Sequence, residues 1–238
     1  MEMKGWVLLL LLSAVTTFAA RVHQPPHNVL AQNPPNFAPN CAFSWTLYGA
    51  NNRSVTSWNT ISKSQLKNSQ TILGLSPDPN TILRFLLDCS NPTSPLAITW
   101  AYDMQNAHTV SCCNIPLLAT QCVTNPDVTN CAAEWGTSFT YKSEGSAMGF
   151  PAYLWQSTQG HTGLVYVSET LDDQGNSIPL MTADPTGALW MHMQSYTALS
   201  DKGGQQALAL PTDCVNAPPC AASDLLYVKG LKFPVLKK

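Results

Sequence analysis

Between Gly149 and Cys214 the chain repeats one pattern five times. Short runs rich in β-branched, aromatic and aliphatic residues alternate with clusters of turn formers. The runs are Phe150–Trp155, Gly163–Glu169, Ser177–Ala183, Ala188–Leu199 and Gln206–Pro211, and the intervening clusters are STQGHTG, LDDQGN, DPTG and SDKGG. Strand-length runs bounded by Gly, Pro, Asn and Asp predict an antiparallel meander, because neighbouring strands joined by tight turns pair antiparallel.

Other runs extend the β reading upstream. Cys41–Tyr48 alternates Ala42, Ser44 and Thr46 with Phe43, Trp45 and Leu47, giving one large apolar face. Leu96–Asp103 reads as a strand, Met104–Ala107 as a turn, and His108–Cys113 as its hairpin partner. Thr137–Lys142 alternates polar with aromatic residues and reads as half-buried. Ile61–Asp88 is the one region predicted to be helical. Ile61, Leu66, Ile72 and Leu73 form a loose amphipathic stripe stopped near Gly74 and Pro77, and TILRFLLD fits two further helical turns as well as it fits a buried strand. The segment Leu225–Leu236 is apolar enough to dock as an edge strand. The expected fold class is therefore mainly β, with one or two short helices near Ile61–Asp88.

The N-terminus bears on compartment. A weakly basic start and an apolar run from Trp6 to Ala20 end in small residues, which reads as a cleaved signal over 1–20. The run is short for a membrane span. Residues 21–40 carry Pro25, Pro26, Pro34, Pro35 and Pro39 and are expected to be an extended lead-in rather than core, leaving 41–238 as a single β-rich domain. Behind a signal, the even set Cys41, Cys89, Cys112, Cys113, Cys122, Cys131, Cys214 and Cys220 predicts up to four disulfides. Adjacent Cys112 and Cys113 should pair elsewhere, since a bond between chain neighbours is strained. Loop length suggests Cys122 with Cys131 and Cys214 with Cys220. Asn52 begins an N-glycosylation sequon, Asn52-Arg53-Ser54, in a polar turn. The expected location is secreted or extracellular.

Chemistry-bearing motifs are sparse. Charged residues are 11% of the chain and the net charge is −2, which offers no basic surface for nucleic acid. No GxSxG, HExxH or phosphate-binding loop is present. The cysteines lack metal-ligand spacing, and Asp172-Asp173 reads as a hairpin turn, so neither a metal nor a cofactor is expected. In Ala188–Tyr196 strict alternation puts Leu189, Met191 and Met193 on one face and Trp190, His192 and Tyr196 on the other. The aliphatic side is either packed core or the wall of a cleft, and methionine suits the second because it adapts to varied ligands. Candidate pocket residues are Trp155, Val165, Val167, Leu180, Leu189, Met191 and Met193.

The order PPNFAPNCAFSWTL, Tyr102-Asp103, FPAYLW, LVYVSE, Ile178–Leu180, QSYTAL and LALPTDC resembles the ependymin-related proteins and secreted relatives of the bacterial lipoprotein-carrier fold. The resemblance spans about Pro34 to Cys214. It implies a strongly curved, open, half-barrel-like antiparallel sheet around a hydrophobic cavity, with helices from Ile61–Asp88 near its mouth. It also implies lipid-like apolar ligands, while the crowded cysteines and low acidic content depart from the family's disulfide and calcium features. It supplies no catalytic motif. Three readings follow: a non-enzymatic binding protein for a lipid or other apolar small molecule, a secreted structural or adhesive glycoprotein module without a cavity, and a hydrolase with an unrecognised site around His161 or His192. Neither nucleic acid nor a stable membrane span is expected.

Overall fold

A computed structural model describes residues 33–48, 54–73, 80–91, 93–116, 122, 126–159, 163–184, 190–221, 225–226 and 235–236. The signal segment, Asn52, His161 and Leu189 lie outside the described residues. Eleven strands form one antiparallel sheet: β1 (Asn40–Tyr48), β2 (Ser54–Ser62), β3 (Lys67–Leu73), β4 (Thr81–Asp88), β5 (Leu96–Asp103), β6 (His108–Pro116), β7 (Ser138–Ala147), β8 (Phe150–Gln159), β9 (Gly163–Leu171), β10 (Ser177–Ala183) and β11 (Trp190–Ala198). Their order is β6-β5-β4-β3-β2-β1-β11-β10-β9-β8-β7, so the sheet is open, with β6 and β7 at its edges. Two meanders share it. β1–β6 runs outward from the centre, the chain crosses to the opposite edge, and β7–β11 runs back until β11 pairs with β1.

The turns follow from local chemistry. Met148 and Gly149 have φ of 54° and 84°, the paired positive values of a two-residue hairpin whose twist matches the flanking strands. The Asp172 carboxylate accepts from the amides of Gln174 and Asn176, closing the β9–β10 turn as the sequence predicts. Asp103 does the same for Gln105 and Asn106 between β5 and β6.

Residues 61–88 correct the helical expectation. The described residues of this range form the end of β2, the turn after it, β3 and β4. Helix and strand compete closely in short apolar runs, and here pairing on both sides decides: β3 pairs with β2 and β4, and β4 with β3 and β5. The two described α-helices lie elsewhere, α1 at Cys131–Trp135 and α2 at Asp201–Ala207. Asn130 caps α1 by accepting from Ala132 N–H, and Ser200 caps α2 by accepting from Gly203 N–H. Thus Gln206–Pro211, expected as a strand, completes α2 and leaves it. The tail strands β12 (Leu225–Leu226) and β13 (Val235–Leu236) pair with each other rather than with the main edge.

Register assigns the two faces. The inner face carries Cys41, Phe43, Trp45 and Leu47 of β1, and it is covered by the crossover between β6 and β7. There the Asn68 side chain donates to the Val128 carbonyl, and Trp135 packs on Phe43 with ring centroids 4.9 Å apart. Phe37 lies 6.0 Å from Trp135 and 5.9 Å from Phe139 of β7. A flat sheet would hold β1 and β7 roughly 24 Å apart. Three successive ring contacts between them mean that the sheet curls over this face. Phe37 is therefore core, against the expectation that the Pro-rich lead-in stays outside it.

On the outer face, Leu208, Leu210 and Cys214 cover Leu86, Ile98 and Trp100. Gly204 of α2 sits so close to β2 that an added Cβ would lie 2.9 Å from Ser62 Oγ.

The four disulfides are Cys41–Cys131, Cys89–Cys122, Cys112–Cys214 and Cys113–Cys220, which replaces both loop-length pairings. Short loops were an unreliable guide because each cysteine lies beside a distant element. Cys112 and Cys113, neighbours on β6, point to opposite faces as strand neighbours must. Cys112 holds the tail on the outer face among Leu86 and Trp100, and Cys113 holds it on the inner face among Ile72 and Leu83. Between them the tail wraps the β6 edge. Asn114 N–H donates to Pro218 O, Cys220 N–H donates to Asn114 O, and the Asn114 side chain donates to Ala217 O. An exposed edge, the usual template for aggregation, is thereby occupied.

These bonds span 102 and 107 residues of chain. The two bonds run in parallel, so with one removed the other still closes the long loop and only a small ring of about seven residues is released; removing either pair by Cys112→Ala with Cys214→Ala, or Cys113→Ala with Cys220→Ala, is therefore expected to cost about 2 kcal/mol in urea denaturation by loop entropy. The second pair should also speed hydrogen exchange at the Asn114 amide. An unchanged urea midpoint in both variants would contradict this account of the tail.

Candidate functional site

The largest inner-face cluster joins Phe37, Phe43, Trp45, Ile61, Trp135, Tyr153, Trp155, Val165, Val167 and Met193 around the Cys41–Cys131 disulfide, with Leu47, Met191 and Tyr196 packed beside it. Cross-strand neighbours place the pocket candidates in rows. Leu47 faces Met191, Met191 is level with Thr182, Thr182 with Val165, and Val165 with Trp155. One row towards the start of β1, Trp45 faces Met193 on one side and Ser57 on the other. Val165, Val167, Trp155, Met191 and Met193 therefore come together on the inner face.

Two candidates behave otherwise. Leu180 is half-buried at a β-bulge: Pro179 pairs with Val167 and Met181 with Tyr166, leaving Leu180 as the extra residue. Leu189 is outside the described residues. A second bulge corrects the face assignment in β11. Ser44 pairs with Ser195 but Trp45 pairs with Met193, so Gln194 is the inserted residue. The alternation reverses there, and Tyr196 joins Met191 and Met193 on the inner face while Ser195 turns outward to bond Ser44 Oγ at 2.7 Å. Strict alternation cannot foresee an insertion, which is why the sequence reading placed Tyr196 opposite the methionines.

A pocket of about 180 Å³ opens at one end of this surface. Tyr153, Trp155 and Val167 form its floor, Ser168, Leu171, Gly175 and Ser177 one side, and Asn33–Asn36 the other. The last wall is tied in place by sequence-distant bonds. Ser177 N–H donates to Asn36 O, and Asn36 N–H donates to Ser177 Oγ at 3.0 Å. These wall residues carry no signal in the sequence, since Asn33–Asn36 reads only as polar and proline-rich.

The electrostatics of the inner face are those of a neutral surface edged with acid. No lysine or arginine of β1–β6 or β8–β11 lies on it: Lys67 and Arg84 both project outward, Lys67 to Asp88 at 2.9 Å and Arg84 to Thr71 Oγ1 and over the Trp100 ring. Burial, then Glu169, Glu144 and Tyr141, hold the Tyr153 phenol above its ordinary range. Tyr196 is pushed up to about 12, chiefly by burial and further by Asp172. The Ala38 N–H acts against this shift, but its geometry falls short of a hydrogen bond, and the Tyr196 hydroxyl has no partner. Tyr196 is therefore a neutral hydroxyl throughout the physiological range.

His192 lies on the outer face, opposite Thr46, with its ring 4.7 Å from that of Tyr48. Among the described residues no serine hydroxyl or carboxylate bonds it. Tyr48 is 45% and Trp58 47% exposed on the same face. No described helix is long and apolar enough to cross a membrane.

No family model matches the chain, and no curated protein does. Among solved structures, a DUF1329-family protein from Desulfovibrio piger shares 11% identity, with 72% of this chain and 92% of that chain covered and a TM-score of 0.28. MucB in complex with MucA shares 12% identity at a TM-score of 0.26, covering 74% of this chain but 55% of MucB. A putative outer membrane lipoprotein-sorting protein domain from Vibrio parahaemolyticus shares 8% identity, covering 71% and 90%, at a TM-score of 0.23. Likeness of this degree carries no argument about function, and none of the three is an ependymin.

The Tyr196 environment has a measurable consequence. Its protonated form is favoured by folding, so stability from this group is intact below pH 10 and is lost as pH rises from about 10 to about 12. The loss should be on the order of 2 kcal/mol. Urea melts at pH 9 and pH 11.5 should differ less in Tyr196→Phe than in the parent chain.

Proposed function

We propose that this protein binds an apolar, lipid-like small molecule on the inner face of its sheet, without catalysis. The observation that carries this reading is the 180 Å³ pocket lined by Tyr153, Trp155 and Val167, residues of the same apolar cluster as Val165 and Met193. Its volume is below the roughly 300 Å³ at which sites for drug-sized ligands begin. It suits a length of hydrocarbon chain, and the unbranched thioethers of Met191 and Met193 can re-pack around such a chain. The four disulfides support a secreted setting, because such bonds persist in oxidising compartments. The signal over 1–20 and glycosylation at Asn52 belong to the same reading.

A second reading, an adhesive module, is favoured by the outer face. Tyr48 and Trp58 are exposed there, His192 packs against Tyr48 with the rings tilted, and Tyr166 lies 6.4 Å from Trp190. An aromatic surface of this kind suits contact with another molecule. The pocket weighs for the first reading, since an adhesive module has no need of one. The hydrolase reading has less behind it, because His192 packs on an aromatic ring rather than beside a nucleophile.

Titration with the fluorescent apolar probe N-phenyl-1-naphthylamine decides. The folded protein should give saturable fluorescence enhancement, and Val167→Asp, which sets a carboxylate in the pocket floor, should weaken it roughly tenfold or more. Trp155→Ala provides a second variant, with near-UV circular dichroism to check folding. Absence of saturable binding by the parent chain would remove the proposal.

A further inference from the structure

The inner face holds polar side chains that its apolar cluster does not explain. Ser57 is 0%, Asn59 7% and Thr182 1% exposed. Ser57 Oγ, Asn59 Nδ2 and Thr182 Oγ1 are buried with no hydrogen-bond partner. Leaving such an atom unpaired costs roughly 1–3 kcal/mol, so three on one face amount to a considerable standing penalty. Packing alone would favour valine or leucine at each position. The Tyr196 hydroxyl and the Trp135 indole N–H, whose rings lie 6.4 Å apart in the inner-face cluster, are also unpartnered.

Their placement is ordered. Ser57 stands opposite Trp45 and Asn59 opposite Phe43, both on β2. Thr182 stands opposite Met191, on β10. The patch formed by Trp45, Leu47, Met191 and Met193 lies on β1 and β11 between them. An apolar floor two strands wide is therefore flanked on both sides by hydrogen-bonding groups. On the Thr182 side the row continues through Val165 to Trp155 and the pocket.

The sign of the field restricts what those groups can meet. None of them is charged, and no cation of β1–β6 or β8–β11 projects onto this face. The acids that act on its phenols are Glu144, Glu169 and Asp172. A carboxylate or phosphate brought here would be desolvated without a counter-charge and repelled by those acids. An uncharged oxygen, as in an alcohol, ester or amide, can accept from Asn59 Nδ2 and exchange hydrogen bonds with Ser57 and Thr182 at no such cost.

We infer that the ligand of this site is an uncharged amphipath, whose hydrogen-bonding oxygens meet Ser57, Asn59 and Thr182 and whose hydrocarbon lies along Trp45, Met193 and Val165 towards the Trp155 pocket. The inference rests on the apolar-ligand reading and narrows it. It separates neutral lipids from free fatty acids and from phospholipid headgroups.

The test is displacement of N-phenyl-1-naphthylamine from the full chain by 1-dodecanol, dodecane and dodecanoate at pH 7.5. Dodecanol should compete at roughly tenfold lower concentration than either of the others, the scale of one or two net hydrogen bonds. Thr182→Val and Asn59→Leu, which replace orphan polar groups with apolar ones of similar size, should narrow the gap between dodecanol and dodecane. Trp58→Ala on the outer face should leave the gap as it is. Thr182→Val should also melt at or above the parent temperature without ligand, and a lower melting temperature would show that its hydroxyl is already satisfied and overturn the inference. Dodecanoate as the strongest competitor would overturn it too, as would an undiminished gap in both variants. If the parent chain fails to bind the probe at all, the apolar-ligand reading falls along with it. If the probe binds and all three competitors act alike, only the narrower inference falls.

Discussion

Pairing of β1 with β11 makes one sheet of what would otherwise be two meanders. Eight residue pairs from Cys41 with Ala198 to Tyr48 with Trp190 join segments about 150 residues apart in the chain. Every other strand pairing in the large sheet is between chain neighbours. Local hairpins can form early, but this junction waits on a large loop closure. The crossover helps hold the result. Cys131, the first residue of the helix that carries Trp135, is bonded to Cys41 at the start of β1, and Trp135 packs on Phe43 two residues further on. The same junction brings Trp45 against Met193 and so creates the centre of the candidate binding surface.

The two halves of the sheet meet the problem of their faces differently. On β4 and β5 both sides are covered, the inner by the crossover and the outer by Leu208, Leu210 and Cys214, while Trp58 of β2 stays exposed on the outer side. The adjacent cysteines on β6 make that possible, because one residue step on a strand reverses the side-chain direction and lets a single tail be fastened on both sides of an edge. From β8 to β11 the inner side is covered, and the outer side keeps Tyr166, Trp190 and His192 partly exposed. The functional readings divide along this line, with a ligand on the inner face and a macromolecular contact on the outer.

The polar interior links fold and function. Ser57, Asn59, Asn68 and Gln70 occupy inner-face positions on β2 and β3, where an ordinary sheet would carry valine or isoleucine. Asn68 is accounted for by the Val128 carbonyl, whereas Ser57 and Asn59 are left with buried, unpaired atoms. Such groups persist in a folded protein at a cost, and a site that fills with a hydrogen-bonding guest is a physical reason for retaining them.

Much of the architecture was legible in the chain itself. Period-two alternation and Asp- and Gly-rich turns located β1 and β5 through β11, and the strain of bonding Cys112 to Cys113 was plain from their adjacency. Alternation failed at β2 and β3 because polar residues stand on both of their faces, which erased the pattern where the interior is most unusual. It failed again at Tyr196, where one inserted residue reversed the strand's faces. What the sequence by itself determined was the position of β1 and of β5 to β11 and the oxidised, mainly β character, since these depend on neighbours within a few residues. The tertiary structure alone decided which cysteines pair, which face Tyr196 joins, and that Asn33–Asn36 walls a pocket with Trp155. Those outcomes depend on residues brought together from far along the chain, and no local pattern encodes such distances.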